Sequence, residues 1–108
     1  MSSDTQQRIF VALADPTRRA LIERLSAEGD QTSTELAKEL PITRQGVSKH
    51  LNILAEAKLV TVRQKGRDRY YTLQPQQLNE AITWVDRVRA QWERRLTALA
   101  AYLDESAP

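Results

Sequence analysis

The chain contains no cysteine. Disulfides, thiolate metal sites and thiol redox sensing are therefore excluded. Its single histidine is His50, and one histidine with carboxylates is an unusual zinc set, so no metal is expected. Only three glycines occur, none of them in a phosphate-cradling loop. No nucleophile–base pair stands out, so no catalytic residue, no cofactor and no enzymatic activity are expected. No apolar run is long enough to cross a bilayer. The first residues are polar, without the apolar stretch behind a basic start that marks a signal peptide. The expected location is the cytoplasm, in association with the nucleoid. Linkers, repeats and low-complexity runs are also missing, so residues 1–108 are read as a single domain with one modest core.

Positive charge is in small excess overall, with a net of +2. Its distribution is uneven. Residues 60–73 carry Arg63, Lys65, Arg67 and Arg69 against Asp68 alone, whereas acidic and basic side chains nearly balance elsewhere. A positive excess focused on one short segment is the footprint of phosphate contact.

What is present centres on residues 43–54. Thr43 reads as a helix cap, and Val47, Leu51 and Leu54 make one apolar stripe. Arg44, Gln45, Ser48, Lys49 and Asn52 fall on the opposite face. Each of these can hydrogen-bond to a base edge or a phosphate. An ordinary solvated helix face usually mixes both charge signs; this one has no carboxylate before Glu56. A packed back with such a front suits the DNA major groove.

The flanking segments fit. A first helix is expected over about Thr5–Ala14. Asp15-Pro16 reads as an N-cap followed by proline at the first helical position, and this second helix stops near Gly29. Thr32 and Glu35 form a capping box that opens a short helix to Leu40, and Pro41 then breaks the chain. The segment 32–57 is thus a helix-turn-helix. Leu59–Gln64 and Arg69–Leu73 alternate as strands around the turn Lys65-Gly66-Arg67-Asp68, a wing over about 59–73. The fold class is mainly α with a small β-hairpin, a winged helix-turn-helix in the order α-α-α-α-β-β-α. Tyr70 and Tyr71 alternate faces, one inward and one towards the wing or DNA.

Pro75 opens a long last helix to about Asp104. Leu78, Ile82, Val85, Arg89, Trp92, Leu96, Leu99 and Leu103 step by four and three in alternation, a heptad seam with one charged member. Trp84, Val88 and Tyr102 widen it. So broad a stripe at the end of a small domain is expected to form a dimer interface, rather than to pack onto the first helix of its own chain. Trp84 and Trp92 either line a pocket or pack the interface; both readings stay open.

Leu13-Ala14-Asp15-Pro16-Thr17-Arg18-Arg19, Val47-Ser48-Lys49-His50-Leu51-Asn52-Ile53-Leu54, Ala57-Lys58-Leu59-Val60 and Arg67-Asp68-Arg69-Tyr70-Tyr71 together resemble the ArsR/SmtB family of winged-helix repressors. The resemblance covers about residues 9–73. It implies a homodimer joined through the first and last helices, which adds Ile9 and Phe10 to the expected interface. It also implies repression by operator occupancy, relieved by an effector, a small molecule or a protein, that the sequence does not identify. The departures are informative. Ala37 and Glu39 stand where the family's thiol sensors carry Cys-x-Cys. Asp86 is followed by Val88, with no histidine in the last helix, where other members bind metal. The chain is therefore closest to the branch without metal sites. Lys58 stands where the family usually has a glycine; a left-handed backbone there would cost on the order of 1 kcal/mol.

His50 can be read as a pH switch, or as a hydrogen-bonding residue directed at phosphate or at the preceding helix; the second reading is preferred. The expected partners are a double-stranded DNA operator and a second copy of the chain. The alternatives are a helical adaptor that binds protein through the last helix, which would not need the basic wing, and a non-specific DNA-coating protein, which would be more basic.

Overall fold

In a computed structural model, residues 3–106 are described. Helices α1 (Ser3–Leu13) and α2 (Pro16–Glu28) are followed by a short strand β1 (Gln31–Thr32) and helices α3 (Ser33–Ala37) and α4 (Arg44–Glu56). The hairpin β2 (Val60–Lys65) and β3 (Asp68–Leu73) comes next, then a 3-10 turn at Pro75–Gln77 and the 29-residue helix α5 (Leu78–Ser106).

The core is built where apolar stripes meet. Ile9 and Ala12 of α1, Leu21 and Leu25 of α2, Leu36 of α3, Val47, Leu51 and Leu54 of α4, Leu59 just before the hairpin, and Val60 and Tyr71 within it are all buried. Burying each large side chain is worth about 1.5–3 kcal/mol. Local signals set the boundaries. The Asp15 carboxylate accepts from the Thr17 and Arg18 N–H groups at 2.8 and 3.1 Å, and Thr32 and Glu35 form the reciprocal capping box. Helix α3 is shorter than the sequence indicates, ending at Ala37 rather than Leu40. Pro41 disfavours helical backbone at the residue before it, and the chain leaves the helix one turn earlier.

Strand β1 was not expected. Gln31 and Thr32 pair antiparallel with Tyr71 and Tyr70, giving a sheet in the order β1-β3-β2. Thr32 thus serves as a strand residue through its main chain and as a helix cap through its side chain, and only the second role leaves a sequence signature. The hairpin closes tightly: Lys65 pairs with Asp68, and Gly66 takes φ +63° at the first loop position. A positive φ at that position alone is the type II′ pattern, whose twist matches the strands.

Helix α4 ends in a left-handed residue at Lys58, the position where the resembled family usually has glycine. Lys58 has φ 62°, the one positive-φ non-glycine among the described residues. Its N–H bonds to the Ala55 carbonyl at 3.0 Å, and the Leu59 N–H reaches back to Leu54 at 3.0 Å. These are the two bonds of a Schellman motif, with buried Leu59 packed at its end. Lys58→Gly is expected to stabilise the fold by about 0.5–1 kcal/mol. Chemical denaturation checks this; an unchanged or lower midpoint would refute it.

The corner between α1 and α2 carries a pH dependence. The Arg18 main-chain N–H is the largest influence and holds the Asp15 carboxyl below its ordinary value of 3.8; desolvation, second in size, opposes it, and the Thr17 N–H and the charges of Arg18 and His50 add smaller effects in the lowering direction. A depressed carboxyl stabilises the fold fully above the unfolded value, and that stability is lost as pH falls through the folded one. Asp15→Asn keeps a capping oxygen without the charge. Its thermal midpoint should fall less steeply than that of the parent protein between pH 5 and pH 3. Equal slopes would show that Asp15 does not govern the acid limb.

Candidate nucleic-acid interface

Helix α4 presents the two faces that its spacing predicts. Val47, Leu51 and Leu54 are fully buried, while Arg44, Gln45, Ser48, Lys49 and Asn52 line one open concavity of about 560 Å³ on the outside. Thr43 caps the helix, its hydroxyl accepting from the Gly46 N–H at 3.0 Å. That leaves the hydroxyl proton free to donate outward.

The wing stands beside this face. Arg44 at the start of α4 shares a second concavity, of about 220 Å³, with Arg67 and Arg69 of the hairpin. Ser33 and Thr34 line it too. These hydroxyls were not singled out in the sequence, because the capping signature of Thr32 and Glu35 accounts for that segment locally. Only the fold brings it next to the wing. Among the described residues, Arg44, Lys49, Lys65, Arg67 and Arg69 have no hydrogen bond or ion pair through their side chains. Unpartnered guanidinium and ammonium groups around an open surface are suited to an anionic polymer.

Arg63 and His50 are placed differently from the other candidates. The Arg63 guanidinium is held by the Asp30 carboxylate at 3.2 Å and lies 6.0 Å from the Tyr70 ring centroid. It ties the hairpin to the loop after α2 instead of standing free. Tyr71 is buried and Tyr70 meets Arg63, as the alternation of faces requires. His50 is half-buried, and its Nδ1 lies 3.3 Å from Arg18 Nη1. The helix it contacts is α2, one further back along the chain than the preceding helix.

The residues expected at a dimer interface separate into two groups. Ile9 is fully buried in its own protomer's core, so its surface is spent there, and Leu78 also packs against that core. Phe10 meets Trp84 edge-on, with centroids 5.2 Å apart. Ile82, Val85, Trp92, Leu96, Leu99 and Leu103 are all about half exposed or more. Arg89, the charged member of the seam, is paired with Asp86 at 2.7 Å. The molecule measures 74 × 29 × 20 Å with a radius of gyration of 19.7 Å, against about 13 Å for a compact chain of this length. Helix α5, about 43 Å long, projects beyond the body and carries the apolar stripe with it.

No described residues form a group of three histidine, aspartate or glutamate side chains able to hold a metal. Glu39, at one of the positions where thiol sensors carry cysteine, is hydrogen-bonded to Arg24. No described helix is long and apolar enough to cross a membrane.

A helix-turn-helix with a polar, carboxylate-poor outer face, flanked by a cationic hairpin, defines a winged-helix DNA-binding protein. Comparison with known proteins gives the same class. Residues 13–63 match a family model described as a helix-turn-helix domain. The chain is 45% identical over 97 residues to the HTH-type transcriptional regulator Rv2034 of Mycobacterium tuberculosis, covering 90% of this chain and 87% of that protein. It is 36% identical over 77 residues to the transcriptional repressor SdpR of Bacillus subtilis, covering 71% and 84%. Among solved structures, an ArsR-like transcriptional regulator from Rhodococcus sp. RHA1 superposes with a TM-score of 0.76 at 35% identity, covering 89% of this chain and 90% of that one. A crystal structure of an ArsR family transcriptional regulator superposes at 0.79 with 31% identity, covering 86% and 95%. The chain belongs to the ArsR family and is a DNA-binding transcriptional regulator.

Proposed function

We propose that this regulator is a homodimeric repressor that occupies an inverted-repeat operator and does not respond to metal. The observation that carries this reading is the outer face of α4, continuous with wing cations that have no partner of their own. Gln45, Ser48, Lys49 and Asn52 would read base edges, with Arg44 and Thr43 at the backbone. Lys65, Arg67 and Arg69 would lie along the adjacent phosphates. The exposed seam of α5 supplies the second half of the argument, because two copies joined there place two recognition helices about a two-fold axis. Such a dimer reads half-sites centred about one helical turn, or a multiple of it, apart. Relatives described as repressors, SdpR and the arsenical resistance operon repressor of Bacillus subtilis, support the sign of regulation. A gel shift on the chain's own promoter, combined with light scattering, tests the reading. Two chains per operator, with at least a thousandfold preference over scrambled DNA, are expected. Binding without such preference would favour a DNA-coating protein, and no binding would favour an adaptor working through α5.

Metal independence is tested separately. Zinc, cadmium, arsenite or a chelator should leave operator affinity unchanged, since the chain has no cysteine and one histidine. A tenfold or larger shift with any of these would overturn that part of the proposal.

A further inference from the structure

The Arg18 side chain joins three helices. Its Nε donates to the Ala12 carbonyl at 2.8 Å and its Nη2 to the Val11 carbonyl at 2.9 Å. Its Nη1 lies 3.3 Å from Nδ1 of His50. Arg19 adds a bond from Nη1 to the Leu13 carbonyl at 2.6 Å. Three of the last four carbonyls of α1, which no intrahelical N–H can satisfy, are thus taken by arginines of α2. The remaining arm of Arg18 reaches the helix that carries the candidate base-reading face.

We propose that Arg18 and His50 are positioning residues, a proton-sensitive strut that fixes the recognition helix α4 against the corner formed by α1 and α2. The chemistry follows from the donors. A guanidinium has only N–H groups and accepts nothing, so the contact exists only while Nδ1 offers its lone pair. That requires a neutral imidazole with its proton on Nε2. Protonation puts an N–H on Nδ1, facing a permanent cation, and the contact becomes repulsive. Arg18 of α2 and Asp15, the N-cap of that helix, are the charged groups that bear on the imidazole. Through Arg18, α1 contributes only main-chain carbonyls. No hydrogen bond or ion pair brings a charged side chain of α3 or β2 to it among the described residues. Arg18 is anchored twice on α1, so the half-buried His50, with the α4 backbone that carries it, is the part that must yield.

The sign of the effect separates this role from a plain charge effect. Adding a positive charge to a DNA-binding helix ordinarily tightens binding to any duplex. The strut instead loosens operator recognition when Nδ1 takes up a proton, because base contacts depend on helix placement and phosphate attraction much less so.

The inference rests on the operator-binding reading, and its test keeps the two apart. Affinity for operator and for scrambled duplex is measured at pH 7.5 and pH 5.5, at constant ionic strength, for the parent protein, His50→Gln and His50→Leu. Glutamine retains an acceptor that does not titrate; leucine retains none. The parent protein should lose tenfold or more of its operator preference at pH 5.5, His50→Gln should hold its preference within about twofold, and His50→Leu should be impaired at both pH values. Equal pH slopes in the parent protein and His50→Gln, or full preference in His50→Leu, discard the strut and leave the regulator intact. Failure of the parent protein to prefer operator at pH 7.5 discards the operator reading, and the strut's function with it. The single histidine permits a direct check by nitrogen-15 NMR of the full chain. The neutral ring should carry its proton on Nε2; a proton on Nδ1 would rule out the contact.

Discussion

Gln45→Ala should weaken operator binding by about 1–3 kcal/mol, or about 5–150-fold, and leave binding to scrambled DNA nearly unchanged. Gln45 is exposed near the start of α4, and its amide can pair bidentately with an adenine edge. Arg67→Ala should behave in the opposite way. Arg67 sits in the two-residue hairpin loop, without an intramolecular partner, where a phosphate contact contributes affinity without sequence information. Its loss should weaken operator and scrambled duplex alike and lower the salt slope by about 1. A wing arginine can also enter a narrow minor groove and favour A·T-rich flanks, which would add a modest sequence preference. Binding isotherms at several salt concentrations on both duplexes decide the matter. If Gln45→Ala weakens both duplexes equally and Arg67→Ala abolishes discrimination, the two roles are reversed.

The second large effect is expected in α5. Leu96 and Leu99 are 48% and 53% exposed in the protomer, so placing glutamate there should leave the isolated fold intact. In a two-fold dimer each substitution occurs twice. Placing a charge where a leucine is buried costs on the order of 3 kcal/mol per site, so one substitution, present at two sites in the dimer, already corresponds to a dissociation constant raised by about 10⁴, and the four sites of the double variant to more. Leu96→Glu with Leu99→Glu should therefore give a folded monomer by light scattering and far-ultraviolet circular dichroism, with operator binding lost. A double variant that remains dimeric with parental operator affinity would place the interface elsewhere. A monomeric variant with undiminished operator preference would show that one recognition helix suffices.

The difference between what was and was not legible can be traced to individual residues. Thr43, Val47, Leu51 and Leu54 specify a capped amphipathic helix through local spacing, and Asp15-Pro16, Thr32 with Glu35, and Gly66 mark their elements through side-chain chemistry at fixed offsets. Such signals involve neighbours within about four residues, so a single sequence displays them. Lys58 carries no such local signal: only the resemblance to a family with glycine at that position pointed to it, and the fold gives it φ 62°. Strand β1 was not legible: two residues carry no periodicity, and their pairing with β3 spans about forty residues of chain. The early end of α3 at Ala37 was likewise decided by how the chain leaves for α4.

Sequence by itself thus determined the order of the main elements, the winged helix-turn-helix class and the face of α4 that carries polar, carboxylate-poor side chains. These follow from periodicity and capping. Tertiary structure decided which cations remain unpartnered. Asp30 comes from a distant loop to hold Arg63, while Arg67 and Arg69 are left open beside Arg44. It also decided that Ile9 is spent in the core while Phe10 meets Trp84, and that Arg18 of α2 reaches His50 of α4. The physical reason is common to all three. Pairing, burial and hydrogen bonding between remote side chains depend on distances that exist only after the helices have packed.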